Sequence, residues 1–358
     1  MKNFVLLIPF ILLLTNAVYA NIAVKLSEPE KNFETLWKTF HERYAFFKLR
    51  GVDWQAQYET HRPKVTKNTT DEELFQVMCE MLKPLRDGHV NLKAKGVKKK
   101  TFNAEDTPRF LKEFDSRKLE KEYQTMVNKT LVDNGFGEQQ EATELLVYSR
   151  NKDYGYLLIT EFEGVKARKV EVGLDKALSS MKGIRGLIVD IRLNPGGTDQ
   201  CVYQIMSRFV DKKRIGHHRK TKQGPGDDDF SEVKTRHMLP ATTAGTNGTF
   251  TGPIALLTHD ASFSGADVFA MLMADLPHAT LIGEPTNGIF SNMLERKLPN
   301  GWKYTLSHQV YYSADMTCYE GRGIPVDIEL KNMRSDLQKG VDPLIIKALE
   351  VLSGKVEN

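Results

Sequence analysis

Four short stretches hold the residue types that nucleophilic catalysis requires. Ser264 stands in Thr258-His-Asp-Ala-Ser-Phe-Ser-Gly-Ala-Asp267, where an apolar strand ends and a helix with the apolar face Val268, Phe269, Leu272, Met273 and Leu276 begins. A serine at a helix start is a common N-cap. As a nucleophile, it would have its oxyanion beside the Gly265 N–H and the positive end of the helix. Asp190-Ile-Arg-Leu-Asn-Pro-Gly-Gly197 runs from a buried strand into paired glycines, where bare backbone amides can face a bound oxygen. His89 lies in Leu85-Arg-Asp-Gly-His-Val-Asn-Leu92, and Glu320 in Cys318-Tyr-Glu-Gly-Arg-Gly-Ile-Pro325. A serine hydroxyl needs a neighbouring base, and that base needs a group to fix its tautomer. Taken singly, the four are better explained as a helix cap, a tight turn, a packed or solvated histidine and a surface bend.

Their order says more than any one of them. Asp-Gly-His, then Asp-x-Arg-x-Asn-x-Gly-Gly, Ser-x-Ser-Gly-Ala-Asp, Gly283-Glu-Pro-Thr-Asn-Gly288 and Glu-Gly-Arg-Gly-Ile-Pro-Val-Asp327 follow one another along most of the chain. This succession resembles the tail-specific, or C-terminal-processing, serine protease family, in its tricorn-core branch. The resemblance implies an α/β fold with a crotonase-like (ClpP/crotonase) core behind an N-terminal helical domain. It implies Ser264 as nucleophile, His89 as base and Glu320 as orienting carboxylate, with Gly265 and either Gly196 or Gly197 as the oxyanion hole. A serine–lysine design would place the lysine 25 residues after the serine, and that position is Ile289; the next lysine, Lys297, falls in a strand. Tricorn-type members carry a serine directly before the histidine, where this chain has Gly88. Asp315 and Glu329 are alternatives to Glu320, and Asp267 is read as capping or orienting its helix. No stretch reads as a PDZ module. The implied activity is exported serine endopeptidase action on peptide or unfolded-protein substrates through an acyl-enzyme, without cofactor or metal. The alternative is a non-catalytic binder of lipophilic ligands or peptides on the same scaffold, as in the interphotoreceptor retinoid-binding proteins. An acyl-CoA enzyme is a weaker reading, because fold alone does not license function.

The elements that must position these residues follow from apolar spacing. Phe33, Leu36, Trp37, Phe40, Tyr44 and Phe47 recur at helical steps, and a second helix starts at the acidic run after Thr70. Residues 95–140 read as polar connecting structure with one helix near 109–114. From Glu144 onward strands alternate with helices, as in an α/β core. A polar excursion at 211–248 carries His217 and His218, both expected to be solvated. The expected division is a signal peptide at 1–20, a helical domain at 21–95 and a catalytic core at 96–358.

Composition bounds the rest. The chain has 358 residues, 41% hydrophobic and 27% charged, with a formal net charge of +4. It is too apolar for disorder, and the charge excess is too small to argue for nucleic acid. Met1–Ala20 has the Lys2 start, apolar run and small-residue exit of a secretory signal, and its run is too short to span a bilayer. The mature protein is therefore expected in the periplasm or secreted, neither a lipoprotein nor inserted in a membrane. Cys79, Cys201 and Cys318 allow at most one disulfide, and Cys79 reads as core. Glycosylation triplets start at Asn68, Asn128 and Asn247.

Overall fold

The computed structural model describes residues 25–96, 100–241 and 249–354. The leader at 1–20, Lys98 and Lys99, and Asn247 lie outside them. Capping fixes where the first helices begin. Helix α1 (Glu28–Arg43) starts where the Ser27 N–H donates to Glu30 (2.9 Å). After α2 (Phe47–Arg50) and α3 (Trp54–His61), α4 (Asp71–Leu82) starts where the Thr70 N–H donates to Glu73 (2.9 Å). Strands β1 (Asn91–Lys93) and β2 (Thr101–Asn103) follow, then α5 (Arg109–Glu113) and α6 (Arg117–Asp133). The middle of the chain forms β3 (Gln140–Thr143), β4 (Leu146–Arg150), β5 (Tyr154–Ile159), α7 (Ala167–Ser180), β6 (Gly186–Asp190) and α8 (Asp199–Met206). Next come β7 (Arg214–Thr221), β8 (Lys234–Met238), β9 (Ile254–Thr258), α9 (Gly265–Ala274) and β10 (Ala279–Gly283). The last part supplies β11 (Met293–Lys297), β12 (Lys303–Ser307), β13 (Gln309–Tyr312), β14 (Ile328–Glu329), α10 (Arg334–Lys339) and α11 (Pro343–Leu352).

A seven-stranded sheet in the order β14-β10-β9-β6-β5-β4-β3 forms the centre. Its strands from β14 to β5 pair in parallel, and β4 and β3 extend it antiparallel. Both faces of the parallel part are covered, which is why β6 and β9 are apolar along their length. Helices α7, α8 and α9 bury Leu174, Val202, Ile205, Phe269 and Leu272 on one face. Helices α5, α6 and α11 bury Phe110, Tyr123, Leu344 and Ile345 on the other. A third core holds Phe33, Leu36, Phe40 and Met78 of the N-terminal helices against Trp302, Tyr304 and Leu306.

The α/β class expected from the sequence stands, but the crotonase-like core requires correction. The strand after His89 does not join the central sheet. It pairs antiparallel with β12, giving a separate four-stranded sheet β11-β12-β1-β2 that ties the N-terminal helices to a C-terminal hairpin. Two elements went unread in the sequence. Residues 117–133 form α6, whose Tyr123, Met126, Val127, Thr130 and Leu131 are buried beneath a charged outer face. The excursion supplies β7 and β8 of a three-stranded sheet β13-β7-β8, whose third strand comes from residues 309–312. This corrects the placement of His217, which is fully buried on the inner side of β7 with Nδ1 2.8 Å from the Tyr203 hydroxyl. No helix among the described residues is long and apolar enough to cross a membrane.

Candidate active site

Two loops leave the carboxyl ends of neighbouring parallel strands, where α/β sheets form crevices. The loop after β6 and the loop after β9 are joined by backbone and side chain. Phe263 N–H donates to Asn194 O (3.1 Å), and the Ser262 hydroxyl donates to Ile191 O (2.9 Å). Asn194 Nδ2 in turn donates to Ile159 O (2.9 Å) at the end of β5. Beneath them Arg192 is fully buried between Asp190 and Asp342, its Nη2 and Nη1 each 2.6 Å from a carboxylate oxygen.

Ser264 sits at the start of α9 with φ +58° and ψ −111°. A positive φ is uncommon for a residue with a Cβ and stores roughly 1–3 kcal/mol of strain. The conformation is held by Asp267, one turn into the helix. Its fully buried carboxylate accepts the N–H groups of Ser264 (2.7 Å), Gly288 (2.7 Å) and Ile289 (3.2 Å). Burial pushes its carboxyl up to about 7, against these bonds and one from Thr286. An Asp267→Asn variant would turn an amide NH₂ toward N–H donors. It is expected to lose about 1–3 kcal/mol of stability, read as a lower urea midpoint at an unchanged m value.

His89 comes from the opposite side, from the turn between the helical segment and β1. Its Nε2 lies 3.0 Å from Ser264 Oγ across 175 positions of sequence. Its carbonyl accepts from the Thr305 hydroxyl (2.6 Å), and its ring meets Phe263 edge-on at 5.2 Å between centroids. With Nε2 accepting from the serine, the ring proton sits on Nδ1, which is buried beside the Ser291 backbone and makes no well-aligned hydrogen bond among the described residues. Burial holds the imidazole below its ordinary value; the Asp87 charge and the Ser291 backbone act the other way. A serine at position 88 would require neighbouring side chains to move. A Cβ there would lie 2.7 Å from Glu105 Oε2 and from the Phe263 ring.

The paired glycines press directly on the backbone around Ser264. A Cβ on Gly196 (φ +94°) would lie 2.4 Å from Phe263 O and 2.6 Å from Gly265 N, so only glycine fits. Gly196 N–H is engaged by Asn194 Oδ1 (2.8 Å). The N–H groups of Gly197 and Gly265 have no acceptor among the described residues.

The structure therefore brings together Ser264, His89, Gly265 and Gly197. It does not join Glu320 to His89. Glu320 is buried nearby, but Oε2 accepts Phe290 N–H (2.9 Å) and Oε1 accepts from Arg50 Nη2 (3.3 Å). Burial drives its carboxyl well above the ordinary range, with the Asp87 charge adding to the effect. Of the alternatives, Asp315 caps its own turn through Ser313 and Thr317, and Glu329 pairs with Lys331. Lys297 lies in exposed β11, and Ile289 is buried. Sequence reasoning passed over Asp87, Asn194 and Ser291. Asp87 and Asn194 each bond the backbone N–H two residues on, a side-chain turn pattern legible in Asp-Gly-His and Asn-Pro-Gly. All three cysteines are free, and no group of three or more metal-ligating side chains is arranged to hold a metal among the described residues.

Comparison with known proteins follows the same lines. The profile for peptidase family S41 matches residues 153–330, and that for the tricorn protease C1 domain matches residues 27–83. The carboxy-terminal processing protease CtpA of Bacillus subtilis is 25% identical over 185 residues, covering 51% of this chain and 36% of that protein. The carboxy-terminal-processing protease of Bartonella bacilliformis is 25% identical over 197 residues, covering 54% and 43%. The chain thus matches less than half the length of each of these relatives. Among solved structures, a putative peptidase from Parabacteroides merdae superposes with a TM-score of 0.76 at 27% identity, covering 91% of this chain and 97% of that one. The tricorn protease gives a TM-score of 0.51 at 17% identity, covering 92% and 37%. The chain belongs to the tail-specific, C-terminal-processing serine protease family in its S41/tricorn-related form. Its fold is that S41/tricorn peptidase architecture, which replaces the crotonase-like core expected from the sequence.

Proposed function

We propose that the protein is a serine endopeptidase in which Ser264 is the nucleophile and His89 the general base. The observation that carries the reading is the 3.0 Å His89–Ser264 contact, set beside the two unengaged N–H groups of Gly197 and Gly265. Ser264 Oγ attacks the scissile carbonyl while Nε2 takes its proton. The tetrahedral oxyanion lies against the Gly197 and Gly265 N–H groups, each such donor lowering the barrier by on the order of 3 kcal/mol. His89 then returns the proton to the leaving amine, and water releases the acyl group by the same steps in reverse. Gly196 acts by letting the two loops meet. The substrate is a peptide or an unfolded protein. The first twenty residues make the protein exported, and residues 21–95 form a helical unit that brings His89 to the catalytic unit of residues 96–358.

The test is hydrolysis of an unfolded protein such as reduced casein by wild type and Ser264→Ala. The variant is expected to lose at least about 1,000-fold in rate. Activity of the wild type is expected to rise with pH through a single ionisation below about 6.5, the ordinary imidazole value. The sign follows from burial: His89 stays neutral, and so competent as a base, to lower pH than a free imidazole. Equal turnover by the variant, or a rise centred near pH 9, contradicts the assignment. A folded wild type without turnover favours the binding-protein alternative.

A further inference from the structure

A buried group of ionisable side chains behind His89 is not used by that mechanism. Asp87 is fully buried; its Oδ1 accepts the backbone N–H of His89 (2.8 Å) and its Oδ2 accepts the Tyr44 hydroxyl (3.0 Å). Tyr44 is itself fully buried at the end of α1. Asp87 is also the carboxylate whose charge bears on the imidazole. Glu320, by contrast, has one oxygen on Arg50 and the other on the N–H of Phe290, next to Ser291. Ser291 is the residue whose backbone acts on the His89 ring, and its hydroxyl oxygen accepts the N–H groups of His308 (2.9 Å) and Gln309 (3.0 Å).

We propose, resting on the serine peptidase reading, that Asp87 held by Tyr44 is the positioning carboxylate that stabilises protonated His89. Glu320 instead holds the Phe290–Ser291 segment against the imidazole. The two carboxylates then do separate work. Asp87 supplies the negative charge that the imidazolium needs when Ser264 loses its proton. Glu320 supplies a rigid wall, anchored by Arg50 on one oxygen and by the Phe290 N–H on the other. The groups facing Asp87 are Tyr44 and Arg50 from the N-terminal helices, Glu105 from the segment after β2, and Glu320 from the bend after β13; Asp267 faces Glu320 from α9. Arg50 is the cation acting on both Asp87 and Glu320. The Tyr44–Asp87–His89 link ties the helical segment directly to the base.

The experiment is the pH dependence of the second-order rate of fluorophosphonate labelling for wild type, Asp87→Asn and Glu320→Gln. Removing the Asp87 charge makes the imidazole harder to protonate. The acid limb of the Asp87→Asn profile is therefore expected to move down by about one pH unit, with the plateau lowered at least about tenfold. Glu320→Gln is expected to lower the plateau and leave the limb where it is. A purely structural role for Asp87 would lower the plateau without moving the limb, and that result overturns the proposal. So does a downward shift in Glu320→Gln, which decides the matter alone if Asp87→Asn does not fold. A folded wild type that takes no label overturns the peptidase reading, and the proposal with it.

Discussion

His89→Ala is expected to lower kcat by about four to six orders of magnitude while leaving the fold intact. The size follows from the geometry around Ser264. Nε2 is the group within hydrogen-bonding distance of the hydroxyl, and a serine without a base is a poor nucleophile at neutral pH. The nearest carboxylate, Asp267, has its oxygens on the backbone N–H groups of Ser264, Gly288 and Ile289. The histidine's contacts are mostly through its backbone, to Asp87 and Thr305, and these survive truncation to alanine. Stability is accordingly expected to change far less than rate. Turnover measured alongside a urea unfolding curve checks both halves of this expectation. A loss of less than tenfold in kcat would remove His89 from the reaction.

The second large effect is on folding. Arg192→Met removes the cation between two buried carboxylates, Asp190 and Asp342, and also loses a bond to Asn332. Breaking a buried ion pair by deleting one partner costs about 3–5 kcal/mol, because the other charge is left uncompensated. Burial alone would raise the Asp190 carboxyl, but the Arg192 charge and its hydrogen bonds hold it below the ordinary range. In the wild type this group therefore stabilises the fold above the unfolded-state value of about 3.9, and the contribution fades as pH falls through the lower native value. In the variant the sign reverses. Asp190, left buried without its cation, takes up a proton more readily, so the loss of stability is expected to be larger at pH 8 than at pH 5. Urea unfolding at the two pH values measures this directly. A deficit that does not shrink on acidification would mean that packing, not charge, supports the loop that carries Asn194 and Gly196.

How much of this was legible beforehand differs by element. Helices with strong apolar faces, such as α1 and α4, and the strands β6 and β9, apolar up to their last residue, announce themselves because periodicity and burial agree. Helix α6 was passed over because Lys118, Glu120, Lys121 and Glu122 dominate its composition while its apolar stripe is narrow. The three-stranded sheet was hidden for a related reason. In β7 the run Arg-Ile-Gly-His-His-Arg-Lys-Thr buries a histidine rather than an aliphatic residue, and no periodicity rule separates a packed imidazole from a solvated one. The crotonase-like core came from resemblance alone, and spacing along one chain does not reveal that β1 pairs with β12, more than 200 positions away.

The candidate site divides in the same way. Ser264, Gly265, Gly197 and His89 lie in short motifs whose residue types already suggest a chemistry, and the fold brings them together. The carboxylate behind the histidine was less accessible to sequence. Glu320 stood out through the resemblance, whereas Asp87 looks like an ordinary turn aspartate until Tyr44 and the His89 N–H are seen to converge on it. Which oxygen faces which donor is a tertiary fact. The same holds for Gly88, whose missing side chain becomes intelligible once Glu105 and Phe263 are seen to occupy the space.

The central claim is that His89 activates Ser264 as a nucleophile. Its most direct test is to treat the purified protein with a fluorophosphonate at neutral pH and map the adduct by peptide mass analysis. The account predicts one adduct, on Ser264, formed at least about 1,000-fold more slowly in His89→Ala. A folded protein that stays unlabelled, or one that labels at a different residue or equally well without His89, would contradict it.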